Sequence, residues 1–218
     1  MWWDGLIIVR RIVKHYNWKK ITILGHSLGG TVGFMYAATF ADDIEKLICI
    51  DIASPAVRSV PYFVNQTGGI VDKFLLYDEL DEGTVPTYTH GEMMKIMLNA
   101  YKDSLTEESC EIMLRRGAVP MSGKDNYKFS RDSRVKVGAL GFISLDMTLE
   151  YASKITCQVL NIKGIPGMKF DPPENYHIIL DKIKETAEKL EFHEVEGTHF
   201  LHLNSPDRVF PIILNFLK

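Results

Sequence analysis

Cysteine is scarce: Cys49, Cys110 and Cys157 are the three in 218 residues, odd in number and widely spaced. That excludes a disulfide-stapled secreted scaffold and makes a reducing setting, the cytoplasm, the expected one. Charge of one sign is lacking too, with 25 Lys and Arg against 28 Asp and Glu. No basic footprint for a nucleic acid results. Long apolar runs are missing, none approaching the roughly 20 residues of a membrane span. The N-terminus does not read as a secretory signal: Asp4 stands where a cationic region belongs, the apolar run of residues 6–9 is short, and no small-residue cleavage site follows. No internal repeat or low-complexity tract interrupts the chain. At 46% hydrophobic and 24% charged residues, the composition is that of a soluble globular chain.

Leu6, Val9, Ile12, Val13 and Tyr16 recur at helical spacing, predicting an amphipathic first helix with Arg10, Arg11 and Lys14 outward. A short β-branched run at 21–24 predicts a buried strand, residues 28–40 a helix, and 47–52 a second buried strand. This is the size of a βαβ unit with a parallel sheet. After Ser54-Pro55 almost a hundred residues pass before the next clear strand at 158–162, which predicts an insertion. Within it, helices are expected at 69–77, 90–101, 106–116 and 142–153, with a polar stretch at 123–134. Beyond it come a Gly/Pro loop, a helix at 174–190, a strand at 191–195 and a helix at 206–217. The expected divisions are 1–53, 54–153 and 154–218.

The most informative stretch is Gly25-His26-Ser27-Leu28-Gly29-Gly30, a G-x-S-x-G pattern between an expected strand and an expected helix. A sharp strand-to-helix turn exposes a strained serine, and glycines at 25 and 29 are expected to relieve the crowding around it. The Leu28 N–H, at the start of the helix, suits a developing oxyanion. A serine hydroxyl needs a base held by a third group. Among seven histidines, His199 is the expected base, lying just past a strand and ahead of the last helix. His26 is expected to turn its side chain away from the Ser27 pocket, and His202 to face the site only if a helix has already begun there. Asp171 is the expected acid, 28 positions before His199 and in the loop after the strand at 158–162. Asp51, at the end of the strand before the insertion, is the other candidate. His193, His199 and His202 lack H-E-x-x-H spacing, so neither metal nor cofactor is expected.

On the elbow, on Phe129-Ser130-Arg131-Asp132-Ser133-Arg134, on Asp171-Pro172-Pro173-Glu174-Asn175-Tyr176 and on Gly197-Thr198-His199, the chain resembles the α/β-hydrolase superfamily, and within it the serine hydrolase-like (kraken-like) group. The resemblance implies an α/β fold, a mostly parallel sheet with a helical cap formed by the insertion. Carried over, Met93, Met94 and Met97 would line the substrate pocket, although helix-face packing suits such thioethers equally. The function implied is hydrolysis of small ester-like substrates by Ser27, His199 and Asp171 through an acyl-enzyme. Such a fold places several strands before its nucleophile, and at roughly thirty residues per βαβ unit they do not fit in the 26 residues before Ser27. The chain is therefore expected to be the nucleophile-to-C-terminus part of a larger domain, without the upstream His-Gly loop that donates to the oxyanion. An open edge at the strand 21–24 is then expected, with self-association through it, and Trp2 and Trp3 read as residues to be covered. The competing expectation is a catalytically silent chain with an interaction role.

Overall fold

A computed structural model of the chain describes residues 2–80, 85–169 and 172–218, with backbone alone at 138–141. In chain order, α1 (Trp2–His15), β1 (Ile21–His26), α2 (Leu28–Thr39) and β2 (Ile44–Ile50) form the first βαβ unit with its leading helix. There follow α3 (Val60–Asp78), α4 (His90–Ala100), α5 (Glu107–Gly117), the hairpin β3 (Ala118–Pro120) and β4 (Tyr127–Phe129), a 3₁₀ segment at Ser133–Gly141, and α6 (Leu145–Ala152). The chain closes with β5 (Gln158–Pro166), α7 (Pro173–Lys184), β6 (Lys189–Gly197), α8 (Leu201–Asn204) and α9 (Pro206–Leu217).

The main sheet runs β1-β2-β5-β6, with every pairing parallel. Its inner strands are buried on both faces because their side chains alternate between two cores. Leu47, Cys49 and Val159 join a cluster with α1, α2, α6 and α7, while Ile48, Ile50, Leu160 and Ile162 pack against Leu201, Val209 and Phe216. Helix α2 carries Phe34, Met35, Tyr36 and Ala37 almost wholly out of water. This is why its sequence is apolar all round rather than on one stripe.

Several expectations need correction. In α1, Trp2, Leu6 and Val13 are buried, whereas Ile12 is exposed, as is Tyr16 just beyond the helix end. Arg10 is not free in solvent: its guanidinium pairs with Asp43, donates to the Tyr36 hydroxyl at 3.2 Å and lies over the Phe40 ring. The helix beginning the insertion is longer than expected because Ser59 caps it, accepting from the Tyr62 N–H, with a proline in its first turn. The polar stretch hides β4, whose residues pair with β3 just after α5. Strand β5 runs on through Lys163 and Gly164, where the polar side chain masked the strand pattern. Helix α7 ends at Lys184, since the Thr186 hydroxyl bonds the Ile155 carbonyl and turns the chain back into the sheet.

Strand β1 lies at a sheet edge with Leu24 exposed, and α1, which packs on α2, leaves Ile7 and Ile8 exposed. Trp2 is buried and its ring lies 4.0 Å from that of Trp3, which is 41% exposed. Among the described residues, no helix is long and apolar enough to cross a membrane.

Candidate active site

Ser27 sits between β1 and α2 with φ 51° and ψ −119°, a conformation that a non-glycine residue adopts only at a cost of roughly 1–3 kcal/mol. Its N–H donates to the Ile50 carbonyl at 3.2 Å and its carbonyl accepts from Thr31 at 3.0 Å, so neighbouring structure holds the strain in place. Its side chain makes no capping bond to α2. The glycines that permit the turn are Gly25 and Gly30. A methyl group on Gly25 would collide with the Gly29 carbonyl carbon and oxygen, and one on Gly30 with the Ile52 side chain. A methyl on Gly29 would meet nothing within 4 Å, so the expectation that position 29 relieves crowding is not met.

Just past β2, Asp51 also has positive φ, 52°, and its side chain has no exposed surface. Four donors converge on it. Oδ1 accepts from Lys163 Nζ at 2.6 Å and the Gly164 N–H at 2.9 Å; Oδ2 accepts from the Met168 N–H at 2.9 Å and His199 Nδ1 at 2.7 Å. Burial alone would raise this carboxyl, but the bonds from His199 and Lys163 outweigh it and hold it below the usual carboxylate range. Asp171 lies outside the described residues; the acid seated on His199 is Asp51, the other candidate. Sequence spacing favoured Asp171 because it sits in the loop after β5. That loop instead sends the backbone N–H of Met168 to Asp51.

His199, 3% exposed, follows β6. Its loop is anchored by Thr198, whose hydroxyl donates to the Ser104 carbonyl at 2.7 Å, and by Asn204, which donates to the same carbonyl at 2.8 Å. His26 does not turn away: its Nε2 donates to the His199 carbonyl at 2.8 Å, and its ring lies 4.4 Å from that of His199. Helix α8 has begun by His202, whose ring is 4.1 Å from that of His26. Burial, then the neighbouring histidines, push His26 down to about 4; burial and His199 do the same to His202, also about 4. Both rings are neutral at pH 7. Among the described residues, no three His, Cys, Asp or Glu side chains are grouped to hold a metal ion.

A cleft of about 380 Å³ is lined by His26, Ser27, Leu28, Tyr101, Met168, His199 and Phe200. It brings the expected nucleophile, base and oxyanion donor together. Met93, Met94 and Met97 are not among its lining. Met93 and Met97 are buried with Leu105, Cys110, Leu114 and Phe200, and Met94 packs against that cluster. They support the cleft wall from behind. Sequence reasoning missed Tyr101 and Phe200, whose rings meet edge to face at 4.8 Å. An aromatic residue next to the expected base was the available signal for Phe200. The cysteines offer no rival nucleophile, since burial pushes Cys49 up to about 12 and Cys157 to about 11, and raises Cys110.

The α/β hydrolase fold family matches residues 6–206. A probable serine hydrolase of Drosophila melanogaster is 49% identical over the whole chain, which covers 66% of that protein. A serine hydrolase-like protein of Danio rerio is 31% identical, over 96% of this chain and 64% of that protein. The chain thus spans just under two thirds of the length of these two relatives. Among solved structures, a hypothetical protein of Pseudomonas aeruginosa PAO1 superposes with a TM-score of 0.79 at 21% identity, over 99% of this chain and 72% of its own. The thioesterase domain from the curacin biosynthetic pathway follows at 0.70 and 20%, over 96% and 71%. At such identities the likeness concerns the fold. The parallel sheet, the strained serine and the family match agree: the chain belongs to the α/β-hydrolase family.

Proposed function

We propose that this chain hydrolyses carboxylic ester-like bonds of small molecules with Ser27, His199 and Asp51. The observation that carries the reading is the 2.7 Å bond from His199 Nδ1 to a fully buried Asp51, with His199 and Ser27 lining one cleft. Ser27 Oγ attacks the carbonyl carbon while its proton passes to His199 Nε2. Asp51 fixes the ring tautomer and stabilises the imidazolium. The Leu28 N–H, one of the leading N–H groups of α2 that lack a partner within the helix, receives the oxyanion. The imidazolium proton then goes to the leaving alkoxide, giving an acyl-Ser27. Water, deprotonated by His199, hydrolyses it and restores the serine. Tyr101, Met168 and Phe200 give the substrate's acyl or alcohol part an apolar seat.

A fluorophosphonate probe tests this. Monodisperse 218-residue protein is expected to label at Ser27, and Ser27→Ala not at all. Folded protein that stays unlabelled overturns the reading. In that case the exposed edge of β1 and the apolar face of α1 favour the second reading, a silent chain with an interaction role.

A further inference from the structure

Lys163 occupies the oxygen of Asp51 that His199 does not use. Its Nζ is 2.6 Å from Oδ1, against 2.7 Å between His199 Nδ1 and Oδ2, and its side chain is only 15% exposed. One buried carboxylate therefore carries an imidazole on one side and a cation on the other. We infer that Lys163 is a positioning residue that acts through Asp51 to set the pH range in which His199 can take the Ser27 proton. The inference rests on the hydrolase reading above.

An uncompensated buried carboxylate favours the protonated imidazole, which cannot serve as a base. A cation fixed on the opposite oxygen offsets that field, and so keeps His199 free to accept a proton at lower pH. Solvent and salt screen such a pair little when it is this far out of water. The same cation helps to keep Asp51 ionised, the form that holds the His199 tautomer.

Other groups packed around the pair do not replace it. From β1 and α8 come His26 and His202, both uncharged at neutral pH. From α7 comes Tyr176, whose ring lies 5.4 Å from Lys163 Nζ and whose hydroxyl donates to Asn161 at 2.6 Å. Burial raises that phenol, so it too is neutral. Beyond Lys163 is a cavity of about 180 Å³, also lined by Glu194 of β6, His177 of α7 and Lys169. Among the described residues, Lys163 is the one lysine or arginine in ion-pair contact with Asp51.

Lys163 also donates to the Met168 carbonyl at 3.0 Å, so it ties down the loop that supplies the Met168 N–H. The test must separate charge from anchoring. The rate of Ser27 labelling by a fluorophosphonate is measured against pH for the 218-residue chain and for Lys163→Met, Lys163→Gln and Lys163→Arg. The acidic limb is expected to move up by about 1 pH unit in the Met and Gln variants and to stay in place with Arg. Slower labelling at every pH with an unmoved limb would mean anchoring alone and overturns the inference. If Lys163→Met does not fold, Lys163→Gln, which keeps a donor, carries the comparison. Failure of wild-type protein to label at any pH overturns the hydrolase reading instead. The His199 ring can then be followed by NMR: a titration midpoint that rises in Lys163→Gln supports the inference, and one that does not move defeats it.

Discussion

His26 holds the backbone of His199: its Nε2 donates to the His199 carbonyl at 2.8 Å, joining the residue before the elbow serine to the proposed base across 173 positions of sequence. The bond leaves a neutral, half-buried ring beside two other histidines.

That neutrality predicts acid sensitivity. His26 and His202 are held at about 4 in the folded chain against an ordinary 6.5, so between those values the unfolded chain binds protons that the folded one refuses. Stability from this source is complete above pH 6.5 and is lost as pH falls toward 4. Urea midpoints are expected to drop between pH 7 and pH 5 in wild type and to drop less in His202→Gln. An equal fall in both would refute the assignment.

Asp51→Asn should lower kcat by on the order of 10⁴, because an amide cannot hold the His199 tautomer that an ionised carboxylate holds. Asp171→Asn should leave kcat within a few-fold of wild type. Steady-state kinetics on a chromogenic ester compares them, and the reverse ranking would return the role to Asp171.

At the elbow, Gly25→Ala is expected to abolish Ser27 labelling and destabilise the fold, since its methyl meets main-chain atoms that cannot move aside. Gly29→Ala is expected to fold and label normally. Thermal melts and probe labelling of the two variants decide the matter.

Met97→Ala should cost about 2–5 kcal/mol of stability, the range for emptying a buried methionine site, with little change in KM. Met168→Ala, at the cleft, should instead change KM among esters of different acyl length. Chemical denaturation and kinetics together distinguish the wall from its backing.

The nucleophile elbow was legible because its chemistry is local: a strand, a strained serine and small neighbours fall within ten residues. The position of His199 beside the elbow was legible from its place after a strand. The pairing of His199 with Asp51 was not, because the two meet only through the sheet register, which aligns Ile50 with Ile162 and Pro166 with Gly197. Lys163 was missed for a related reason: its role depends on reaching back to the end of the neighbouring strand. The hairpin of β3 and β4 escaped because three-residue strands leave too few alternations to see.

The four donors to Asp51 lie 112, 113, 117 and 148 positions further along the chain. Closing loops of that length is slow relative to local helix formation, and none of the four bonds can form before β5 and β6 dock. The carboxylate is thus dressed for its role by segments that lie more than a hundred positions downstream of it. In a refolding experiment, recovery of Ser27 reactivity should trail the return of helical signal, making the site a late clock on assembly of the whole chain.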